Sequence, residues 1–343
     1  MDSNYLQDSN AENRKQDHIE LAFKSQTAQS LSDKRFYYEP ALSSHPNEKI
    51  DSFQFLDKNI QTPIWVSSMT GGTEKAFFIN SNLAKASAKF KMGMGLGSCR
   101  SLLDNNERIK DFDFRKIIGD DLPFYANLGI AQIELILKNQ QVQKIKDLIA
   151  RLSADGLIVH INPLQEWLQP EGDKITIAPI ITLQRLIEKL DTKIIVKEVG
   201  QGMGKESLKA LMKLPIQAIE LAAFGGTNFS KLELLRSEPE KLALYKSISN
   251  IGHSAEEMVD FINEIKQEES NSAILCKQFI ISGGIKNFLD GYYLMQKLEY
   301  KSIYGQASEL LKYAEQSEES LIQFLEMQIK GLRLAENFLR IRK

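Results

Sequence analysis

His160, Asn162, Gln165 and Glu166 stand together in His160-Ile161-Asn162-Pro163-Leu164-Gln165-Glu166, directly after an apolar run. An imidazole and a carboxylate beside a cavity can move protons. A carboxylate next to a phosphorylated ligand more often binds Mg²⁺, a hard cation that prefers oxygen. Pro163 fixes a bend just past the run. Glu166 is therefore assigned to a metal, and His160 stands between acid–base work and a core histidine with both nitrogens satisfied. Lys197 ends another apolar run, Ile194-Ile195-Val196, so its ammonium points where water is scarce and requires an anion or the polar edge of a cofactor or substrate. Pairing with Glu198 is disfavoured because neighbouring strand residues face opposite sides.

The other unusual residues are glycines and hydroxyls at the ends of apolar runs: Ser67-Ser68-Met69-Thr70-Gly71-Gly72, Gly97-Ser98-Cys99-Arg100, Asn127-Leu128-Gly129, Gly225-Gly226-Thr227, Ser282-Gly283-Gly284-Ile285-Lys286 and Gly305-Gln306-Ala307-Ser308. Each alone is ordinary turn chemistry. Repeated at the same end of every run, the set predicts a functional mouth. The last three groups suit a phosphate, because glycines let backbone N–H groups approach an oxyanion. Lys286 would add a cation there and Thr227 a hydroxyl. Upstream, Arg14, Lys15 and His18 form a short basic cluster, which is either solvated surface or an arm carrying cations to a substrate phosphate.

The elements that must position these residues alternate. Eight β-rich runs (62–68, 92–97, 123–128, 156–161, 193–199, 218–223, 278–282 and 302–305) are separated by amphipathic stretches predicted as helices at 74–90, 132–152, 182–190, 205–214 and 287–298. In the first helix Phe77, Leu83, Ala84 and Phe90 share one face. Eight parallel strands close into a barrel, so the fold class is α/β, a (β/α)8 TIM barrel in a single domain over 1–343. Residues 1–61 form an N-terminal extension. The connection 224–277 after strand six is an elaborated loop with helical stretches at 230–245 and 255–267, and 318–343 reads as one long helix.

Composition narrows the classes. With 43% hydrophobic and 26% charged residues the chain can bury a large core, and a formal net charge of −2 argues against a nucleic-acid binder. No stretch approaches a membrane span or a secretory signal, so a cytoplasmic protein is expected, with Cys99 and Cys276 as free thiols.

Taken in order, these motifs resemble the type 2 isopentenyl diphosphate isomerases. The resemblance is carried by Arg14-Lys15 with His18, Met69-Thr70-Gly71-Gly72, Gly97-Ser98-Cys99-Arg100, Ala126-Asn127-Leu128-Gly129, the 160–166 segment, Lys197-Glu198-Val199-Gly200 and Ser282-Gly283-Gly284-Ile285. It implies an FMN- and Mg²⁺-dependent enzyme that interconverts isopentenyl and dimethylallyl diphosphate, with NAD(P)H keeping the flavin reduced and the reduced flavin as acid and base. Carried over, Ser67, Ser68, Met69, Thr70, Ser98, Asn127, Lys197, Thr227, Gly283, Gly284, Ile285, Lys286, Ala307 and Ser308 would contact FMN. Arg14, Lys15, His18, Ser98, Arg100, Asn162 and Gln165 would contact the diphosphate substrate, with Gln165 and His160 nearest the chemistry and Glu166 on Mg²⁺. A homo-oligomer, tetramer or octamer, is usual in the family. Cys99, Lys286 and Ala222-Ala223-Phe224 differ from its common pattern. Two rival readings share the barrel: an FMN-dependent 2-hydroxy acid oxidoreductase, which would want a histidine and an arginine near strand seven, and a non-catalytic flavin-binding barrel.

Overall fold

The computed structural model describes residues 11–47, 50–67 and 71–342. Eight parallel strands close into a barrel: β1 (Ile64–Val66), β2 (Gly93–Gly95), β3 (Phe124–Gly129), β4 (Gly156–His160), β5 (Lys193–Lys197), β6 (Ala218–Glu220), β7 (Gln278–Ser282) and β8 (Lys301–Gln306). They neighbour one another in chain order, and β8 pairs with β1. Closure removes both sheet edges, and the strands are buried almost throughout, as their unbroken apolar runs require. Trp65 fills the interior against Tyr125, and its ring occupies the space that a side chain at position 93 would need, which explains Gly93.

The first crossover helix, Glu74–Phe90, is capped by Thr73, whose hydroxyl accepts from the Ala76 amide, and is ended by Lys91 in the left-handed region. It buries Ile79, Leu83, Ala84 and Ala86. Phe77 instead faces outward and stacks on Phe114, so the buried stripe is rotated from the expected one. The helix expected over 132–152 is two, Ile130–Lys138 and Gln143–Arg151, with Gln140 at φ 56° between them. The stretch 230–245 is likewise two short helices, Phe229–Leu235 and Pro239–Tyr245, broken because Pro239 can begin a helix but not continue one.

The C-terminal helix stops at Phe338, and Leu339–Ile341 then pairs antiparallel with Phe36–Tyr38 of the extension. That pairing ties the two ends of the chain together on the outside of the barrel. Further along, the hairpin Phe53–Phe55 and Lys58–Ile60 buries Phe55, Leu56 and Ile60, and the Leu56 amide donates to Gln278 at the start of β7. It thus covers the amino-terminal end of the barrel and leaves the carboxyl end for chemistry. Residues 12–34 are exposed throughout, including the helix Ala11–Leu21 that carries Arg14, Lys15 and His18. No helix among the described residues is long and apolar enough to cross a membrane. Cys99 and Cys276 are free and buried, and burial pushes each thiol up to about 12.

Candidate active site

At the tips of β3 and β4, Asn127 and His160 are held side by side. The Asn127 Nδ2 donates to the Leu96 carbonyl at 2.9 Å, so its Oδ1 faces His160 Nδ1 at 2.8 Å. The ring must therefore carry its proton on Nδ1 and present Nε2 as an acceptor. Burial, and after it the charge of Lys197, pushes the imidazole down from 6.5 to about 3. His160 is accordingly neutral near pH 7 and is no general acid there.

This shift has a sign. Between the two values the unfolded chain binds the proton more readily than the folded protein, so stability is lost as pH falls from 6.5 toward about 3. His160→Gln should flatten the pH dependence of the urea midpoint between about pH 4 and 6.5 by up to one proton. An unchanged slope would assign the acid sensitivity to other groups.

The segment after β4 turns at Asn162 and enters the short helix Pro163–Leu168, with proline at its first position. Asn162 donates to Glu166 Oε1 at 3.0 Å and to Gln165 Oε1 at 3.1 Å. The other Glu166 oxygen accepts from the Asp173 amide at 2.7 Å. Asp173 in turn receives Arg100 at 2.6 Å and Gln132 at 2.9 Å, and Gln132 also accepts from the Gly129 amide. Gln165 reaches Glu233 of the loop after β6, which pairs with Arg236. Three carboxylates (Glu166, Asp173, Glu233), three amides (Asn162, Gln165, Gln132) and two arginines (Arg100, Arg236) are thus bound into a single network beside His160. Among the described residues no group of three His, Cys, Asp or Glu side chains is arranged to hold a metal by itself.

Across the mouth, β5 to β8 and the tip of β1 enclose a cavity lined by Ser67, Lys197, Val199, Gly200, Glu220, Ala222, Gly226, Thr227, Phe229, Ser282, Gly283, Gly284, Ile285, Gly305, Gln306, Ala307 and Ser308. Lys197 is buried in its wall, next to His160 in strand register, and donates to the main-chain oxygen of Glu198 at 3.0 Å rather than to its carboxylate. The Glu198 carboxylate instead accepts from the amides of Gly200, Gln201 and Gly202 at 2.6, 2.7 and 2.9 Å, which fixes the loop after β5. Gly283 sits at φ 92° with its α-carbon against the main chain of Ala223, so any side chain there would overlap the loop after β6. The glycine loops 225–226 and 283–284 pack backbone to backbone, and 305–308 completes the rim. Three buried polar atoms on this wall, Ser67 Oγ, Glu220 Oε2 and Gln306 Oε1, have no partner among the described residues. Orphaned atoms in a glycine-walled cavity fit a polar, phosphate-bearing ligand.

Of the residues singled out in the sequence, Ser67, Lys197, Thr227, Gly283, Gly284, Ile285, Ala307 and Ser308 line this cavity. Asn162, Gln165, Glu166 and Arg100 belong to the adjoining network, and Asn127 pairs with His160 beside it. Ser98 is exposed. Lys286 is exposed too, next to the lining residue Ile285. Arg14, Lys15 and His18 stay on the exposed arm and do not reach the lining. Ser68, Met69 and Thr70 lie outside the described residues. Gln132, Asp173 and Glu233 lie in stretches whose composition is ordinary, and only the folded chain shows that their carboxylates and amides converge. Glu198 stands in the Lys197-Glu198-Val199-Gly200 motif, but its use in holding the loop after β5 shows only in the folded chain.

With this geometry in view, similarity to known proteins decides the family. No family model matches the chain. The isopentenyl-diphosphate delta-isomerase of Rickettsia felis is 32% identical over 326 residues, covering 94% of this chain and 90% of that protein. The proteins of the same name from Rickettsia akari and Rickettsia prowazekii are 34% and 33% identical, each covering 94% of this chain and 91% of its counterpart. The chain belongs to the isopentenyl-diphosphate delta-isomerase family. It is therefore an enzyme, and the isomerase fold has solved counterparts. The flavin-binding domain of baker's yeast flavocytochrome b2 superposes with a TM-score of 0.58 at 10% identity, covering 88% of this chain and 71% of that one. A mandelate oxidase carrying an FMN monooxide adduct gives 0.54 at 10% identity, covering 90% and 88%. At that identity the likeness is one of fold: this isomerase is built on the same closed eight-stranded barrel.

Proposed function

We propose that the chain isomerises isopentenyl diphosphate to dimethylallyl diphosphate with FMN in the cavity between β5 and β8, Mg²⁺ at Glu166 and NAD(P)H as reductant. One observation carries the reading: the phosphate-type cradle of 226–227, 283–284 and 307–308 adjoins the 160–166 network, with Lys197 beside His160 between them. The printed names of the isomerase relatives supply the reaction, and the FMN-bearing barrels share the architecture. The isomerase names favour this reading over a 2-hydroxy acid oxidoreductase, for which the cavity wall offers no arginine among the described residues to grip a carboxylate.

When bound, reduced FMN supplies a proton donor and acceptor beside the substrate double bond. The chain's own residues place and charge the partners. Backbone amides of the glycine loops take the flavin phosphate, and Lys197 faces the cofactor from the barrel wall. Glu166 offers a single carboxylate, which suits Mg²⁺, since that ion completes its shell with phosphate oxygens and water. Asn162 and Asp173 aim that carboxylate. Gln165 does not titrate and orients the substrate carbons. Neutral His160 presents Nε2 as an acceptor, so a diphosphate oxygen beside it would carry the shared proton. The arm swings Arg14, Lys15 and His18 over the diphosphate and excludes water.

Incubating purified protein with isopentenyl diphosphate should yield dimethylallyl diphosphate only when FMN, NADPH and Mg²⁺ are all present. Conversion that is indifferent to flavin, or oxidation of a 2-hydroxy acid with flavin reduction, would overturn the reading.

A further inference from the structure

The floor of the cavity holds a carboxylate that none of the roles above uses. Glu220 ends β6 within the apolar run Ala218-Ile219-Glu220-Leu221, is fully buried, and lines the same cavity as Lys197. Strand register sets it directly beside Lys197 on β5 and Ile280 on β7. One of its oxygens accepts from Ser282 Oγ at 3.1 Å, and that hydroxyl accepts in turn from the Ala222 amide at 3.0 Å. The other oxygen, Oε2, is buried without a partner among the described residues. Lys197 donates to the Glu198 main-chain oxygen, which leaves two of its three N–H groups over, and no ion pair joins it to Glu220 among the described residues. Ser67 Oγ is a third unmet group on the same wall.

Buried ionisable groups with unmet hydrogen-bonding capacity are costly, so this arrangement persists only if a ligand completes it. A cation on the floor would suit Glu220 and repel Lys197, and an anion would do the reverse. A neutral chain with closely spaced hydroxyls serves both, since each hydroxyl donates one hydrogen bond and accepts others.

We propose that Glu220 is a cofactor-binding residue whose Oε2 accepts a hydrogen bond from a hydroxyl of a polyol chain, with Lys197 donating to a neighbouring hydroxyl of that chain. The floor of the cavity thereby selects the ribityl linker of the flavin, while the phosphate rests on the rim. This rests on the FMN reading above and adds to it a residue and a part of the ligand.

The test is flavin affinity, read from quenching of flavin fluorescence by the apoprotein. FMN and three analogues, each lacking one of the 2′, 3′ and 4′ hydroxyls, are titrated into the wild type and into Glu220→Gln. Loss of a hydrogen bond to a charged acceptor is worth about tenfold in affinity. In the wild type the analogue lacking Lys197's hydroxyl partner should weaken, and the one lacking Glu220's hydroxyl partner should bind about tenfold more weakly than FMN. Glu220→Gln should lose about the same factor on FMN and nothing further on that analogue, because both changes delete one contact. If all analogues bind the wild type as FMN does, or if the variant's loss adds in full to that of every analogue, the inference is overturned. If the wild type binds FMN in no form, the cofactor reading itself fails, a result distinct from either. Should the variant not fold, the wild-type analogue series decides alone.

Discussion

Lys197→Ala should release the flavin. The ammonium is buried at the end of β5, its one partner among the described residues is the Glu198 main-chain oxygen, and its wall faces the glycine-rimmed cavity. Removing one partner of a buried charged contact costs on the order of 2–5 kcal/mol, so the FMN dissociation constant should rise at least about 30-fold. The substitution also leaves Glu220 as the only ionisable side chain lining the cavity among the described residues, which adds to the loss for a phosphorylated ligand. Lys197→Arg should restore little, because a planar fork cannot occupy the place of a compact ammonium. Flavin titration of the apoprotein reads the effect, with circular dichroism to verify the fold. Unchanged affinity would mean that Lys197 does not face the cofactor.

Glu166→Gln should produce the second large change while leaving flavin binding untouched. Its carboxylate is buried, aimed by Asn162 Nδ2 and the Asp173 amide, and is not among the residues lining the glycine-rimmed cavity. An amide keeps one acceptor but loses the charge that holds a hard cation. Loss of even an outer partner of a metal ligand costs about 10–100-fold in metal affinity, so the Mg²⁺ concentration for half-maximal rate should rise by at least that factor. High Mg²⁺ should recover part of the rate, which a merely misfolded variant would not show. A variant that loses flavin but keeps its metal response would move Glu166 out of this role.

Much of the architecture was legible because strand and crossover periodicities differ so plainly. Eight apolar runs separated by amphipathic stretches leave little besides a closed parallel barrel. What escaped was long-range or lacked a local signal. The break at Asn139-Gln140 has neither glycine nor proline to announce it, whereas Pro239 did mark the break in the neighbouring case. Leu339–Ile341 becomes a strand only because Phe36–Tyr38, some three hundred residues earlier, lies beside it.

At the site, glycines and hydroxyls after the strands pointed to the cavity, but the use of each polar side chain depended on its neighbours. Nothing local to His160 says that Asn127 fixes its tautomer, or that burial keeps it neutral. Lys286 reads as a phosphate cation from its place after Gly283-Gly284, and it is exposed next to the lining residue Ile285. Glu220 carried the same signal as Lys197, a charge inside an apolar strand run, and was legible by the reasoning applied there.

The central claim is that one barrel mouth grips a flavin and a diphosphate side by side. A crystal structure of the protein with FMN and isopentenyl diphosphate tests it most directly. The flavin phosphate should rest on residues 226–227, 283–284 and 307–308, with the diphosphate and Mg²⁺ against His160, Asn162 and Glu166 and the allylic carbons facing the flavin ring. Density for flavin away from that cradle, or for the diphosphate on a surface not shared with it, would contradict the account.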